Sequence, residues 1–160
     1  MTTVTKKGAK AAAQPVGAPY GNSTVLRYHF ETNSSGVFVD SDQTTAVNSG
    51  DKVRLGLIPA GFILDDALAI ISDAFTASVT FTIGWEYADG VDVTATPQDN
   101  DYFFAALSAA SAGRTAATNT AVAPVKLPKD AYLILTVGGA NNASVGIADI
   151  IVRGEYRGAP

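Results

Sequence analysis

The sequence predicts an all-β fold: an antiparallel jelly roll or β-sandwich with one short helical insert and an extended N-terminal arm. Three observations carry this. Short runs of alternating apolar and polar residues recur along the chain, the period-two mark of half-buried strands. Clusters of Gly, Asn, Asp and Pro separate them. No helix-period segment stands between successive strands, as a parallel α/β fold would require. A jelly roll is the first choice and an immunoglobulin-like sandwich the second.

The elements follow in order. Residues 1–22 (MTTVTKKGAKAAAQPVGAPYGN) are rich in Ala, Gly, Pro and Lys without apolar periodicity. Pro15 and Pro19 forbid a continuous helix there, so the segment reads as a flexible basic arm and residues 23–160 as the body. From Ser23 the character changes: Val25, Arg27, His29 and Glu31 alternate with Leu26, Tyr28 and Phe30. A turn at 33–36 then lets 37–39 pair back as a hairpin. Residues 52–58 resume the alternation, with Val53, Leu55 and Leu57 on one face, until the Pro-Ala-Gly at 59–61 breaks it. Residues 62–64 and 67–72 are apolar with Asp65-Asp66 between them. In 77–85, Val79, Phe81, Ile83 and Trp85 face one way and Ser78, Thr80, Thr82 and Gly84 the other. Residues 101–112 (DYFFAALSAASA) read as the helical insert, capped by Asp99 or Asp101 and ended by Gly113. A Thr/Ala loop follows at 114–123, then an edge piece at 125–127 bracketed by Pro124 and Pro128. Two last strands, 132–137 and 144–155, flank a hairpin turn at 138–142. The total is seven or eight strands.

Composition bounds the partners. Of 160 residues 47% are hydrophobic and 16% charged, against ~25% charged in an ordinary soluble domain. A surface so poor in charge is covered by neutral polar groups or by another protein. The net charge of −4 is split: 1–22 hold three lysines and no acid, the remainder eight basic against fifteen acidic residues, a net of −7. An acidic body argues against wrapping nucleic acid, which needs a basic face. With no cysteine, disulfides, thiolate metal sites and a cysteine nucleophile are excluded. No window reaches the roughly 18 apolar residues of a membrane span, and no signal-peptide core follows Lys6, Lys7 and Lys10. The expectation is a soluble protein made in a cytoplasm.

The residues offer little chemistry. His29, the one histidine, sits mid-strand between Tyr28 and Phe30, and no G-x-S-x-G elbow occurs to supply it with a nucleophile. Asp65, Asp66, Asp73, Glu86, Asp89, Asp92, Asp99 and Asp101 fall close together. Paired carboxylates can hydrolyse glycosides, yet most of these lie at turns, where Asp serves the backbone. Residues 89–92 and 99–101 offer oxygens to calcium but match no EF-hand loop. Gly138-Gly139 has neither the lysine nor the following helix of a phosphate loop. Trp85 and Tyr87 beside Glu86 would make a sugar platform if exposed and core if not. No catalytic, metal or cofactor site is expected, and the chain reads as a non-enzyme.

At 50–60 (GDKVRLGLIPA) the chain resembles the small head-decoration, or cement, proteins of tailed phages. A "GD-x-V-x-L-G-x-I-P-A" strand leads into a Leu/Asp-rich link and an alternating strand with a Gly-aromatic-acid turn. An acidic residue before aromatics and an Ala-rich stretch (99–110, DNDYFFAALSAA) and a last apolar strand with a Gly-Gly/Asn turn (133–142) fit the same pattern. The resemblance spans roughly 47–152. It implies a virion structural protein bound to the outside of a bacteriophage head, made in the host cytoplasm and clamping major capsid subunits as a homo-oligomer, dimer or trimer. It implies no cofactor, membrane or nucleic acid. The arm residues expected to touch the partner are Lys6, Lys7, Lys10, Pro15, Pro19 and Tyr20. The alternative is a receptor- or glycan-binding β-sandwich module of a head fibre or tail.

Overall fold

The computed structural model describes residues 2–7, 23–118 and 123–157. Ten strands occur among them: β1 (Thr3–Thr5), β2 (Ser23–Thr32), β3 (Lys52–Ile58), β4 (Phe62–Asp73), β5 (Thr80–Tyr87), β6 (Asp99–Ser108), β7 (Gly113–Ala116), β8 (Val125–Lys126), β9 (Ala131–Gly138) and β10 (Gly146–Tyr156). They form two facing sheets. Sheet one has the order β1-β3-β9-β5-β6; sheet two has β2-β10-β4-β7, with β8 also paired to β4. Nearly every connection crosses from one sheet to the other, the winding expected of a jelly roll. The exceptions are the β5–β6 hairpin and the β7–β8 link. All pairings are antiparallel except β1 with β3, which is parallel.

The alternation seen in the sequence explains the core. Leu26, Tyr28 and Phe30 on β2 and Val79, Phe81, Ile83 and Trp85 on or beside β5 are all buried, while their in-between neighbours on β2 face outward. Between the sheets Phe30, Phe38, Phe75 and Phe81 pack as tilted, stacked and edge-on rings, with centroids 4.8–5.7 Å apart. Such offset and edge geometries are the ones the aromatic quadrupole favours.

Several expectations need correction. The described residues contain no helix, and residues 99–108 are strand β6 instead of a helical insert. Tyr102, Phe103 and Phe104 are all buried, the Tyr102 hydroxyl donating to the Leu64 carbonyl on β4 at 3.1 Å, and pairing with β5 outweighs the modest helix preference of alanine. Asp99 caps no helix; its carboxylate accepts the Asp101 N–H at 3.2 Å, a local turn contact. Gly113, expected to end the helix, opens β7. Asp65-Asp66 does not divide two strands: β4 runs on through a register shift against β10. The turn at 138–142 is not a hairpin, because β9 and β10 lie in different sheets. Leu57 faces outward and Ile58 inward, since a bulge at Leu55–Gly56 reverses the alternation. The return of 37–39 to β2 is present as single contacts, with the Val39 N–H donating to the Glu31 carbonyl at 2.8 Å.

Candidate functional site

Of the six residues expected to touch a partner, two are described. Residues 2–7 lie on the body: β1 runs beside β3, Val4 is buried in the core, and the Thr5 N–H donates to Asp42 Oδ1 at 2.8 Å. Lys6 is held, its Nζ donating to the His29 carbonyl at 3.2 Å. Lys7 is exposed. Lys10, Pro15, Pro19 and Tyr20 lie outside the described residues.

The sole histidine belongs to a network the sequence did not reveal, since Asp149 lies more than a hundred residues from Arg27 and His29. On the outer face of sheet two, antiparallel register sets His29 opposite Asp149. His29 Nδ1 is 2.9 Å from Asp149 Oδ1, and its Nε2 is 3.3 Å from Glu31 Oε2. Arg27 grips the same Asp149 carboxylate with Nε at 3.1 Å and Nη2 at 2.9 Å. Both ring nitrogens of His29 therefore face carboxylates and neither faces a hydroxyl nucleophile. This is a cross-strand ion-pair ladder, not the arrangement of a hydrolase.

Sheet one carries a counterpart. Glu86 on β5 accepts from Lys52 Nζ at 2.6 Å and Arg54 Nε at 2.7 Å, and the Arg54 guanidinium lies 5.1 Å over the Tyr132 ring. Burial alone would raise the carboxyls of Glu86 and Asp149, but their hydrogen-bonded cations outweigh it and hold both below the ordinary range. Unfolding releases each carboxyl to a higher pKa, so the unfolded chain binds more protons. The stabilisation is thus fully present above the ordinary carboxylate value of about 4 and is lost as pH falls through the depressed native values. The melting temperature is expected to stay level down to about pH 5 and then decline. Glu86→Gln or Asp149→Asn should cost about 1 kcal/mol near neutrality and flatten that acid limb in a pH series of thermal melts.

Asp89 and Asp92 serve local structure. Asp89 takes both its oxygens to Lys129 Nζ, at 2.9 and 2.7 Å, and Lys129 sits 4.5 Å over the Tyr87 ring. Asp92 Oδ1 accepts the backbone N–H groups of Val93 and Gln98. Among the described residues no group of three or more carboxylate or histidine side chains is placed to hold a metal. Trp85 and Tyr87 are 1% and 0% exposed and pack edge to face at 5.1 Å. They are core, and no sugar platform stands there. Trp85 also borders a cavity of about 430 Å³, shared with Asp99, Tyr102 and residues 95–97 and 124–126.

What the surface does offer is area. Leu68, Ile70, Ile147 and Ile151 are half-buried on the outer side of sheet two, beside the Arg27–Asp149–His29 ladder. The outer edge of β6 is lined by small residues.

No protein-family model matches the chain, and no curated protein matches it in sequence. Two solved structures do match in shape. A chain in the structure titled "Capsid of Ralstonia phage GP4" superposes with a TM-score of 0.66 at 17% identity, covering 96% of this chain and 98% of that one. A chain of the "Cyanophage Pam1 capsid asymmetric unit" gives 0.56 at 17% identity, covering 95% and 96%. At such identity the shared property is the fold, which this chain has in common with chains of two phage capsids from end to end.

Proposed function

We propose that this chain is a virion structural protein, a decoration or cement protein that binds the outer surface of a phage head and ties neighbouring major capsid subunits together. One observation carries the reading: the fold matches chains of two phage capsids over nearly their whole lengths, so the matched chains are themselves about the size of this one. The physics of the surface supports it. Holding a shell together needs area and repeated contacts, not a cleft. Both sheets present broad outer faces, and on them Glu86, Asp149 and His29 are engaged in polar contacts within the chain. The glycan-binding alternative loses its main support with the burial of Trp85 and Tyr87.

In this reading the protein is made in the bacterial host and ends on the head exterior. Lys7 and the segment through Lys10, Pro15, Pro19 and Tyr20 reach the shell protein, and Lys6 serves the body.

Purified protein mixed with undecorated heads of its own phage is expected to co-sediment in a density gradient, with saturable stoichiometry. Replacing residues 8–20 with a short Gly/Ser linker, and keeping β1 because Val4 is in the core, should weaken that binding while the thermal transition of the body stays in place. Protein that remains at the top of the gradient overturns the cement reading. Undiminished binding by the linker variant removes the segment from the contact.

A further inference from the structure

Residues 2–7 enter sheet one as an added strand between two other pieces of the chain. On one side β1 runs parallel to β3, the Lys52 N–H donating to the Thr2 carbonyl at 3.1 Å and the Lys6 N–H to the Arg54 carbonyl at 3.3 Å. On the other side lie residues 40–42. The Lys7 N–H donates to the Asp40 carbonyl, the Asp42 N–H to the Thr5 carbonyl at 3.0 Å, and Lys6 forms an antiparallel bridge with Ser41. Two carboxylates complete the slot: Asp51 Oδ1 accepts the Thr2 N–H at 3.0 Å and Asp42 Oδ1 the Thr5 N–H at 2.8 Å. Each of these bonds is made to the backbone of 2–7, as when an extended peptide adds a strand to a sheet. Val4 is the one side chain of the six that is buried, in the core beside Val53, its register partner.

Both walls of the slot are held without their occupant. β3 is paired along its other edge to β9. The 48–51 turn fixes Asp51, whose Oδ2 accepts the Asn48 N–H at 2.9 Å. Phe38 packs on Phe30, the Val39 N–H donates to the Glu31 carbonyl and the Asn142 N–H to the Val47 carbonyl, and these contacts anchor the 37–47 segment. Ser41 Oγ ties that segment to itself by donating to the Phe38 carbonyl at 2.8 Å. One valine is a small share of the core, which β2, β3, β4, β5, β6, β9 and β10 all supply. Opening at a place with so few buried contacts costs far less than unfolding the whole domain.

We infer that the slot between β3 and residues 40–42 is a peptide-binding site, filled by the chain's own residues 2–7 as a latch that undocks and redocks while the body stays folded. Its ligand is an extended peptide with a small aliphatic side chain at the third position. Two residues on it carries a cation, which meets the His29 carbonyl as Lys6 does. Residues 8–22 connect the latch to β2. With the latch open, that connection is held at one end instead of two, and its reach toward a shell grows. This use of the latch rests on the function proposed above. The latch itself does not, since it is read in solution without heads.

The chain has no cysteine, so one introduced thiol is a clean probe. Val4→Cys in the full chain is expected to react with a maleimide in native buffer at least about a hundredfold faster than Val53→Cys, its neighbour in the same core. The blocked Val4→Cys protein should keep its sheets and a cooperative melt. A synthetic peptide of residues 2–7 (TTVTKK) added to it should refill the slot and slow deuterium exchange at the Asp42 and Lys52 amides, which donate to the latch. The same peptide carrying Val4→Asp should not. Equal labelling rates for the two thiols overturn the inference. So does a blocked protein that has lost its fold, or one whose two amides gain no protection from about 1 mM peptide. Should either cysteine variant fail to fold before labelling, exchange in the unaltered chain decides. The Asp42 and Lys52 amides are then expected to open at least about a hundredfold faster than those of β9, and equal protection overturns the latch.

Discussion

Trp85→Ala is expected to lower the stability of the body by roughly 3–5 kcal/mol, the range for deleting a large buried aromatic side chain. The indole is 1% exposed and packs edge-on against Tyr87. Its backbone lies mid-sheet, opposite Leu133 on β9 and Asp99 on β6, so the surrounding strands are held from both sides and cannot fold inward over the gap. The space vacated would adjoin the solvent-open groove of about 430 Å³ that Trp85 already borders. For a domain of this size each kcal/mol moves the melting temperature by about 2–4 °C, so a fall of roughly 10 °C is expected in calorimetry or thermal circular dichroism. An unchanged melting temperature would mean that the indole is not packed in solution. It would also bring back the exposed aromatic pair that sugar binding requires.

That prediction was open to the sequence because the strand carrying Trp85 has an unbroken period of two. The same holds for β2, where the alternation from Val25 to Glu31 maps directly onto outward and inward faces. Other parts were not legible, for physical reasons that can be named. The stretch DYFFAALS carries both aromatic and Ala/Leu signals, and only its pairing with β5, some twenty residues earlier, decides between them. β1 is three residues long and surrounded by Lys, Gly and Ala, so no local pattern separates it from the rest of the basic segment. Membership of one sheet or the other is a long-range property: β9 and β10 are adjacent in sequence, joined by a turn rich in Gly and Asn, and yet face one another across the core. The Arg27–Asp149–His29 ladder depends on β2 and β10 being neighbours, which no spacing within either strand announces.

Gly154→Val is expected to prevent the body from folding stably. In β10, Gly154 stands opposite Leu64 just past the register shift with Arg153, where β4 spends Asp65 as an extra residue. Such a bulge bends the strand and tightens its local twist, and here it brings β10 close against the start of β4. A methyl group built on Gly154 would collide with the Ile63 carbonyl oxygen and with the Phe62 ring. The first is backbone of a paired strand and the second is a fully buried core side chain, so neither can give way cheaply. Overpacking of this kind costs about 3 kcal/mol or more, enough to consume much of a stability of about 5–15 kcal/mol. Gly113→Val is the matching control: nothing lies within 4 Å of an added Cβ there, on the exposed edge strand β7. Its melting temperature should stay within a few degrees of the parent, since surface changes of this sort act within about 0.5 kcal/mol. Soluble yield and thermal melts of the two variants side by side make the comparison. A Gly154→Val protein that melts with the parent would mean that β10 and β4 are not in close contact at the bulge, and the register that aligns Asp149 with His29 farther along β10 would need to be redrawn.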